Sequence, residues 1–231
     1  MKRIAIVPAS GFGRRMNHLI PKQYLKLDNG LTVLDTTLNQ LLSGAFFDLI
    51  VVTVQREDPY WKDSIHCNNE KIKLCYGGAE RRDSVRNALM GLKNFAEDDD
   101  WIFVHDAARP CVQLDDIRRL YALIRAQNQV GGILAVQATD TVKRANQDFA
   151  IDKTLDRAYI YLAQTPQVFR YRTLLMAYYF CLQNNITVTD DASAVEALDH
   201  QPILVEGDQR NIKITKPEDL VLANYFLSLL K

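Results

Sequence analysis

The sequence predicts a Rossmann-like α/β three-layer sandwich: a mainly parallel, twisted sheet covered by helices on both faces, with a β-hairpin arm projecting from it. Three observations carry that reading. Short β-branched runs alternate along the chain with segments of helical periodicity. No Gly/Ser/Pro linker, internal repeat or low-complexity tract divides the 231 residues. One polar stretch, 139–157, suits neither a helix nor a buried strand.

In order, residues 3–7 form the first strand, followed by a loop of small residues and a helix over 33–42. Strands over 49–54 and 72–76 come next. Residues 80–95 are helical because Val85, Ala88, Leu89 and Leu92 recur at i, i+3, i+4 and i+7 and make one apolar face. An apolar strand over 101–105, a helix over 114–127 and a strand over 133–136 follow. Within 139–157 an Asn146-Gln147-Asp148 turn separates two strand-like halves. A lone two-stranded hairpin is marginal in water, so this arm either lies on its own domain or packs against a second copy of the chain, and its length favours the second. A helix over 173–182 and a strand over 203–205 precede the last helix, 217–230. That helix opens with Pro217 in its first turn and Glu218-Asp219 near its positive end, and its buried stripe is Leu220, Ala223, Leu227 and Leu230. The whole reads as one domain, 1–231, with 139–157 as a dimerisation arm.

Composition narrows the function. Hydrophobic residues at 48% and charged residues at 24% exclude disorder, collagen and coiled coil. No apolar run approaches the roughly 18 residues that span a bilayer, and Met1-Lys2-Arg3 leads into a strand without a signal-peptide cleavage site. Cys67, Cys75, Cys111 and Cys181 form no close pair and no zinc spacing, so a reduced cytoplasmic protein is expected. The 28 basic and 28 acidic residues cancel, which argues against a broad nucleic-acid surface. Residues 1–27 nonetheless hold Lys2, Arg3, Arg14, Arg15, Lys22 and Lys26 and no carboxylate. Such a cluster suggests either a small polyanionic ligand or a solvated basic end.

Ligands of such folds sit beyond the carboxyl ends of the strands, so the loops there hold the candidates. After the first strand, Ala9, Ser10, Gly11 and Gly13 let backbone N–H groups approach a phosphate, and Arg14, Arg15 and Lys22 bring charge. The pattern is neither the dinucleotide fingerprint, which needs Gly where Met16 stands, nor a Walker loop. Gly77-Gly78-Ala79, before Ser84, permits close contact with a flat base; the alternative is a plain turn with Arg81 and Arg82 on a solvated face. Asp106, at the end of an apolar strand, suits Mg2+ held together with nucleotide phosphates, or else caps a turn and pairs with Arg109. His105 beside it suggests a relay, but no Ser or Cys nucleophile motif accompanies it. Asp98-Asp99-Asp100 reads as a solvated loop. Thr141, Arg157 and Thr165 suit a phosphomonoester on a small polyol, and Lys213 suits a substrate phosphate or else is an ordinary surface lysine.

These blocks, Pro8-Ala9-Ser10-Gly11-Phe12-Gly13-Arg14-Arg15-Met16, Pro21-Lys22-Gln23 and Asp106-Ala107-Ala108-Arg109-Pro110, resemble the 2-C-methyl-D-erythritol 4-phosphate cytidylyltransferases of the non-mevalonate isoprenoid pathway. The similarity runs over nearly the whole chain. Ser10 stands where the family pattern has a second Ala, and Asp191 where it commonly has Glu. The resemblance implies that Arg15 and Lys22 contact the CTP phosphates, that Gly78, Ala79 and Ser84 read cytosine, and that Asp106 holds Mg2+. It further implies a homodimer in which Thr141 and Arg157 of the arm serve the neighbouring subunit. CTP and a small polyol phosphate are the expected partners. The other open readings are a ribitol 5-phosphate cytidylyltransferase, against which Asp-Ala-Ala-Arg-Pro argues, and a CTP-binding module without catalysis.

Overall fold

A computed structural model of the chain describes residues 1–11 and 20–229. Its strands are β1 (Arg3–Pro8), β2 (Leu49–Val54), β3 (Ile72–Tyr76), β4 (Trp101–Val104), β5 (Gly131–Gln137), β6 (Lys143–Ala145), β7 (Ile151–Thr154), β8 (Tyr161–Arg170) and β9 (Ile203–Glu206). Seven form one sheet in the order β3-β2-β1-β4-β8-β5-β9, while β6 and β7 pair with each other alone. Within the large sheet every pairing is parallel except those of β8, which runs antiparallel to both β4 and β5.

Helices α1 (Val33–Leu42), α2 (Arg81–Gly91), α3 (Leu114–Ala126), α4 (Tyr171–Gln183), α5 (Asp191–Glu196) and α6 (Pro217–Ser228) complete the fold. The strand period of two explains their distribution. Along β1, Ala5 and Val7 point into a cluster with Leu34 and Leu38 of α1 and Ile117 and Leu120 of α3. Ile4 and Ile6 point the other way, onto Val85 and Leu89 of α2, Leu174 of α4 and Val195 of α5. All four β1 side chains are fully buried, so the central strand is covered on both faces and reads as an unbroken apolar run.

The predicted strands and long helices lie where the periodicity puts them. Two elements were not anticipated. β8 carries Gln164, Pro166 and Gln167 at its centre, and an interior proline ordinarily argues against a strand. It is a strand because the glutamines are satisfied sideways: Gln164 Nε2 donates to the Asp208 carbonyl at 2.8 Å, and Gln167 binds both Asp190 and the Ala192 N–H at 2.8 Å. α5 is only six residues long and is set by its cap, where Asp190 accepts from the Ser193 N–H.

Since β5 and β8 are antiparallel neighbours, residues 138–160 are the outgrown loop of one long hairpin, closed at its base by the Ala138 N–H and the Ile160 carbonyl at 2.9 Å. β6 and β7 are its extension. Three local expectations are corrected. Asp100 is buried, not solvated, and accepts from the backbone N–H groups of Lys2 and Glu97. On α6 Ala223 is fully buried, whereas Leu220, Phe226 and Leu227 are half-buried against Leu27, Val33 and Ile214; Leu230 lies outside the described residues. Lys2 and Arg3 sit at the opposite end of β1 from its carboxyl-end loop, where they hold the Phe95 carbonyl and Asp48, so the basic N-terminal segment is not one charge cluster.

Candidate active site

The loops that follow β1, β3 and β4 meet over the carboxyl ends of the strands and enclose a cavity of about 240 Å³. Ser10, Gly11, Gly78 and Ala79 line it, as do Ser84, Lys22, Asp106 and Lys213, so these eight sequence-predicted residues come together. Ala9 stands behind the wall, its N–H on the Thr53 carbonyl and its own carbonyl accepting from Gln23 Nε2. Gly13, Arg14 and Arg15 lie outside the described residues.

The two glycines after β3 also answer a packing constraint. A Cβ on Gly77 would sit 2.2 Å from Ser10 Oγ, and one on Gly78 2.2 Å from Asp83 Cβ. They let this loop close against the first loop and against the start of α2. Ser10 Oγ and Ser84 Oγ are 2.7 Å apart, Ser84 Oγ also accepts from the Gly78 N–H at 3.1 Å, and it donates to the Glu80 carbonyl. Ser84 is fully buried, and its hydroxyl ties the two loops together at the cavity wall. The Ser10 hydroxyl is its partner in a link that an alanine could not make.

Asp106 is the electrostatic centre. Its Oδ1 accepts from Arg81 Nε at 2.8 Å; its Oδ2 lies 2.8 Å from Lys213 Nζ and 3.5 Å from Arg109 Nε. Burial alone would raise its pKa, but Arg81, then Lys213 and Arg109, outweigh it and hold the carboxyl well below the usual range. Arg81 in turn donates through Nη2 to Asp191 Oδ2 at 2.8 Å, and Asp191 is fully buried. Burial works against the Arg81 charge, yet the two carboxylates keep it firmly protonated. Arg81 therefore belongs to the site and is not part of a solvated face; Arg82 is half-buried and pairs with the exposed Glu80 at 2.8 Å. The partners of Arg81 stand 25 and 110 residues away, so no local pattern announces it.

The backbone of Asp106 is held from behind. Its N–H donates to Thr165 Oγ1 at 3.0 Å, and that hydroxyl lies 3.0 Å from His105 Nδ1. His105 Nε2 faces the Arg109 carbonyl at 3.2 Å, which can only accept, so Nε2 carries the proton and Nδ1 accepts from Thr165. Burial pushes the His105 pKa down to about 4, which fixes the neutral ring. The proton of Thr165 thus points into the protein, and the residue supports Asp106 instead of lining the cavity. His105 is its orienter and no part of a nucleophile relay.

Lys22 Nζ reaches the Ile214 carbonyl at 2.6 Å, which brings it beside Lys213 from the far end of the chain. Three cations around Asp106 and Asp191 leave a net positive charge, with Lys22 added at the rim. A mouth of this kind suits an anion with several phosphates. Thr141 and Arg157 are not at this cavity: Thr141 is exposed at the base of the arm, and Arg157 Nη1 donates to the Thr139 carbonyl at 2.5 Å.

Comparison with known proteins agrees along the whole length. The family model for 2-C-methyl-D-erythritol 4-phosphate cytidylyltransferase matches residues 3–229. The enzyme of that name from Ruthia magnifica is 44% identical over 230 residues, covering 96% of this chain and 95% of the relative. That from Vibrio parahaemolyticus is 46% identical over 229 residues, covering 97% and 95%. The crystal structure of the Francisella tularensis enzyme superposes with a TM-score of 0.86 at 44% identity, covering 98% of this chain and 100% of that one.

Proposed function

The chain belongs to the 2-C-methyl-D-erythritol 4-phosphate cytidylyltransferase family, and from that premise we propose that it transfers a cytidylyl group from CTP to 2-C-methyl-D-erythritol 4-phosphate. The products are 4-diphosphocytidyl-2-C-methyl-D-erythritol and pyrophosphate, a step toward isoprenoid precursors. The observation that carries the reading is Asp106 held between Arg81 and Lys213 at a cavity that the glycine loop and Lys22 also line.

A phosphomonoester is ionised near neutral pH and needs no general base. It needs alignment and compensation of charge. A phosphate oxygen of the acceptor attacks the α-phosphorus of CTP in line, and the bond to pyrophosphate breaks. Lys22 and Lys213 donate to phosphate oxygens as negative charge moves onto the leaving group. Arg15 takes the same task by its place in the family motif.

Magnesium is part of the proposal. Among the described residues no group of three or more His, Cys, Asp and Glu side chains forms a cage for a resident metal. A lone carboxylate at the cavity fits an ion that arrives on the nucleotide phosphates, and Asp106 would hold it. Bound there, it would supply Lewis-acid charge across the phosphates. Lys213 occupies the Oδ2 oxygen such an ion would use, so in this reading Lys213 turns from Asp106 to the substrate phosphate as the nucleotide enters.

A homodimer is proposed with it. Phe149 and Ile151 of the arm and Tyr159 just past it are 91%, 67% and 82% exposed, an apolar surface that the described residues leave uncovered. Packed on a second copy, the arm would carry Thr141 and Arg157 to the neighbouring cavity. A cytoplasmic setting accords with the four free cysteines. The test is pyrophosphate release from CTP and Mg2+. Release that depends on methylerythritol phosphate, with ribitol 5-phosphate far slower, is the expected result. Equal rates with either acceptor would overturn the acceptor, and no release with either would overturn the reaction.

A further inference from the structure

The buried chemistry of the molecule continues past the cavity wall. On α4, Tyr178 is 3% exposed and its hydroxyl donates to Asp191 Oδ1 at 2.7 Å. Arg81 Nη2 donates to the other oxygen of Asp191, and Arg81 Nε donates to Asp106 Oδ1. Four residues from α4, α5, α2 and the loop after β4 thus form one line of hydrogen bonds that ends on the carboxylate at the cavity.

We propose that Tyr178 and Asp191 are positioning residues that divide the Arg81 guanidinium between two carboxylates, and so set the orientation and free charge of Asp106. The inference rests on the transfer reaction proposed above. A guanidinium opposite a carboxylate prefers a two-pronged pairing with both oxygens. Asp191 offers Arg81 only one oxygen, because the Tyr178 hydroxyl holds the other. The Nε–H of the same fork goes to Asp106 Oδ1. Without the hydroxyl, Asp191 Oδ1 would be a buried acceptor that has lost its donor, next to the guanidinium already bound to Oδ2. The fork then closes on Asp191 and releases Asp106 Oδ1. Removing the Asp191 charge does the opposite and commits Arg81 wholly to Asp106.

The two changes therefore pull Asp106 in opposite directions. Tyr178→Phe leaves the carboxylate less neutralised but poorly aligned. Asp191→Asn leaves it more strongly covered by its cation. A general loosening of the fold would weaken metal and nucleotide binding in both variants alike, so opposite signs are diagnostic.

The experiment measures binding and turnover separately on the full chain, with circular dichroism melts to show that both variants fold. Calorimetric titration with CTP at graded Mg2+, without acceptor, gives the Mg2+ concentration at half-maximal tight binding. For Tyr178→Phe this should fall about threefold while kcat falls about tenfold and KM for CTP stays within about twofold. For Asp191→Asn the Mg2+ requirement should rise about threefold or more. Shifts of the same sign in the two variants, or a Tyr178→Phe enzyme with kcat within about twofold of the parent, would overturn the positioning role. Failure of the reaction itself would be visible in the unaltered chain, which would then release no pyrophosphate; the calorimetric signs are read without turnover and still decide the positioning.

Discussion

Acid should weaken this protein through His105 before its carboxylates titrate. The ring is fully buried, with Nε2 donating to the Arg109 carbonyl and Nδ1 accepting from Thr165, so a second proton would put a charge in the interior. Its pKa is about 4 in the fold against an ordinary 6.5. Above pH 6.5 the ring is neutral in both states and imposes no penalty. As pH falls from 6.5 toward 4 the unfolded chain takes up a proton that the folded chain refuses, and stability is lost. The full difference corresponds to about 3 kcal/mol, of which about 2 kcal/mol is gone by about pH 5. His66, also held below its ordinary value, chiefly by burial, adds to the same window. Asp106, Asp208 and Asp219 are held below the ordinary carboxylate value and act at lower pH.

The assay is urea unfolding of the parent and of His105→Gln between about pH 7.5 and pH 5. Glutamine can donate to the Arg109 carbonyl and accept from Thr165 without titrating. The parent should be the more stable at neutral pH, and its advantage should shrink by about 2 kcal/mol at about pH 5. A stability difference that stays flat across that range would refute both the tautomer and the burial argument. The same scan followed by pyrophosphate release should show activity failing with the fold, since the Thr165–His105 pair holds the Asp106 N–H.

Other outcomes follow from the site. Lys22→Ala should lower kcat by roughly 10²–10³, the scale of one lost donor to a developing charge, with the melting temperature little changed; stopped-time pyrophosphate assays check it. Gly77→Ala drives a methyl into Ser10, so KM for CTP should rise at least about tenfold, and Ser10→Gly in the same chain should recover part of it. In the arm, Phe149→Asp should turn a dimer into a monomer by light scattering, and Arg157→Ala should raise KM for the acceptor and not for CTP. A monomeric Phe149→Asp enzyme of full activity would remove the arm from the site.

What the sequence made legible was whatever a short window can hold. Val85, Ala88, Leu89 and Leu92 announce α2 because a helix face repeats locally. The run at 101–104 announces a strand buried on both faces, and it correctly delivers Asp106 at its end. Small residues after β1 and β3 mark the cavity rim. β8 was hidden because its glutamines look solvated until Asp190, Ala192 and Asp208 are seen to receive them. The basic N-terminal segment misled for the converse reason. Adjacency in sequence put Lys2 and Lys22 in one cluster, while β1 carries them to opposite ends of the sheet.

Charge at the site is therefore a property of topology. Asp106 draws its cations from the start of α2 (Arg81), from its own loop after β4 (Arg109) and from the loop after β9 (Lys213), which the sheet turns toward the same edge. Because these groups share one carboxylate, exchanging one alters the others: with Lys213 gone, Oδ2 keeps only the Arg109 guanidinium at 3.5 Å. Lys213→Ala should then cost more in kcat than in Mg2+ affinity, since the metal no longer competes for Oδ2 while the phosphate loses a donor. Calorimetry with CTP and Mg2+ alongside kcat separates the two effects. Mg2+ affinity that falls together with kcat would mean that Lys213 assists the metal, and the exchange at Oδ2 would have to be abandoned.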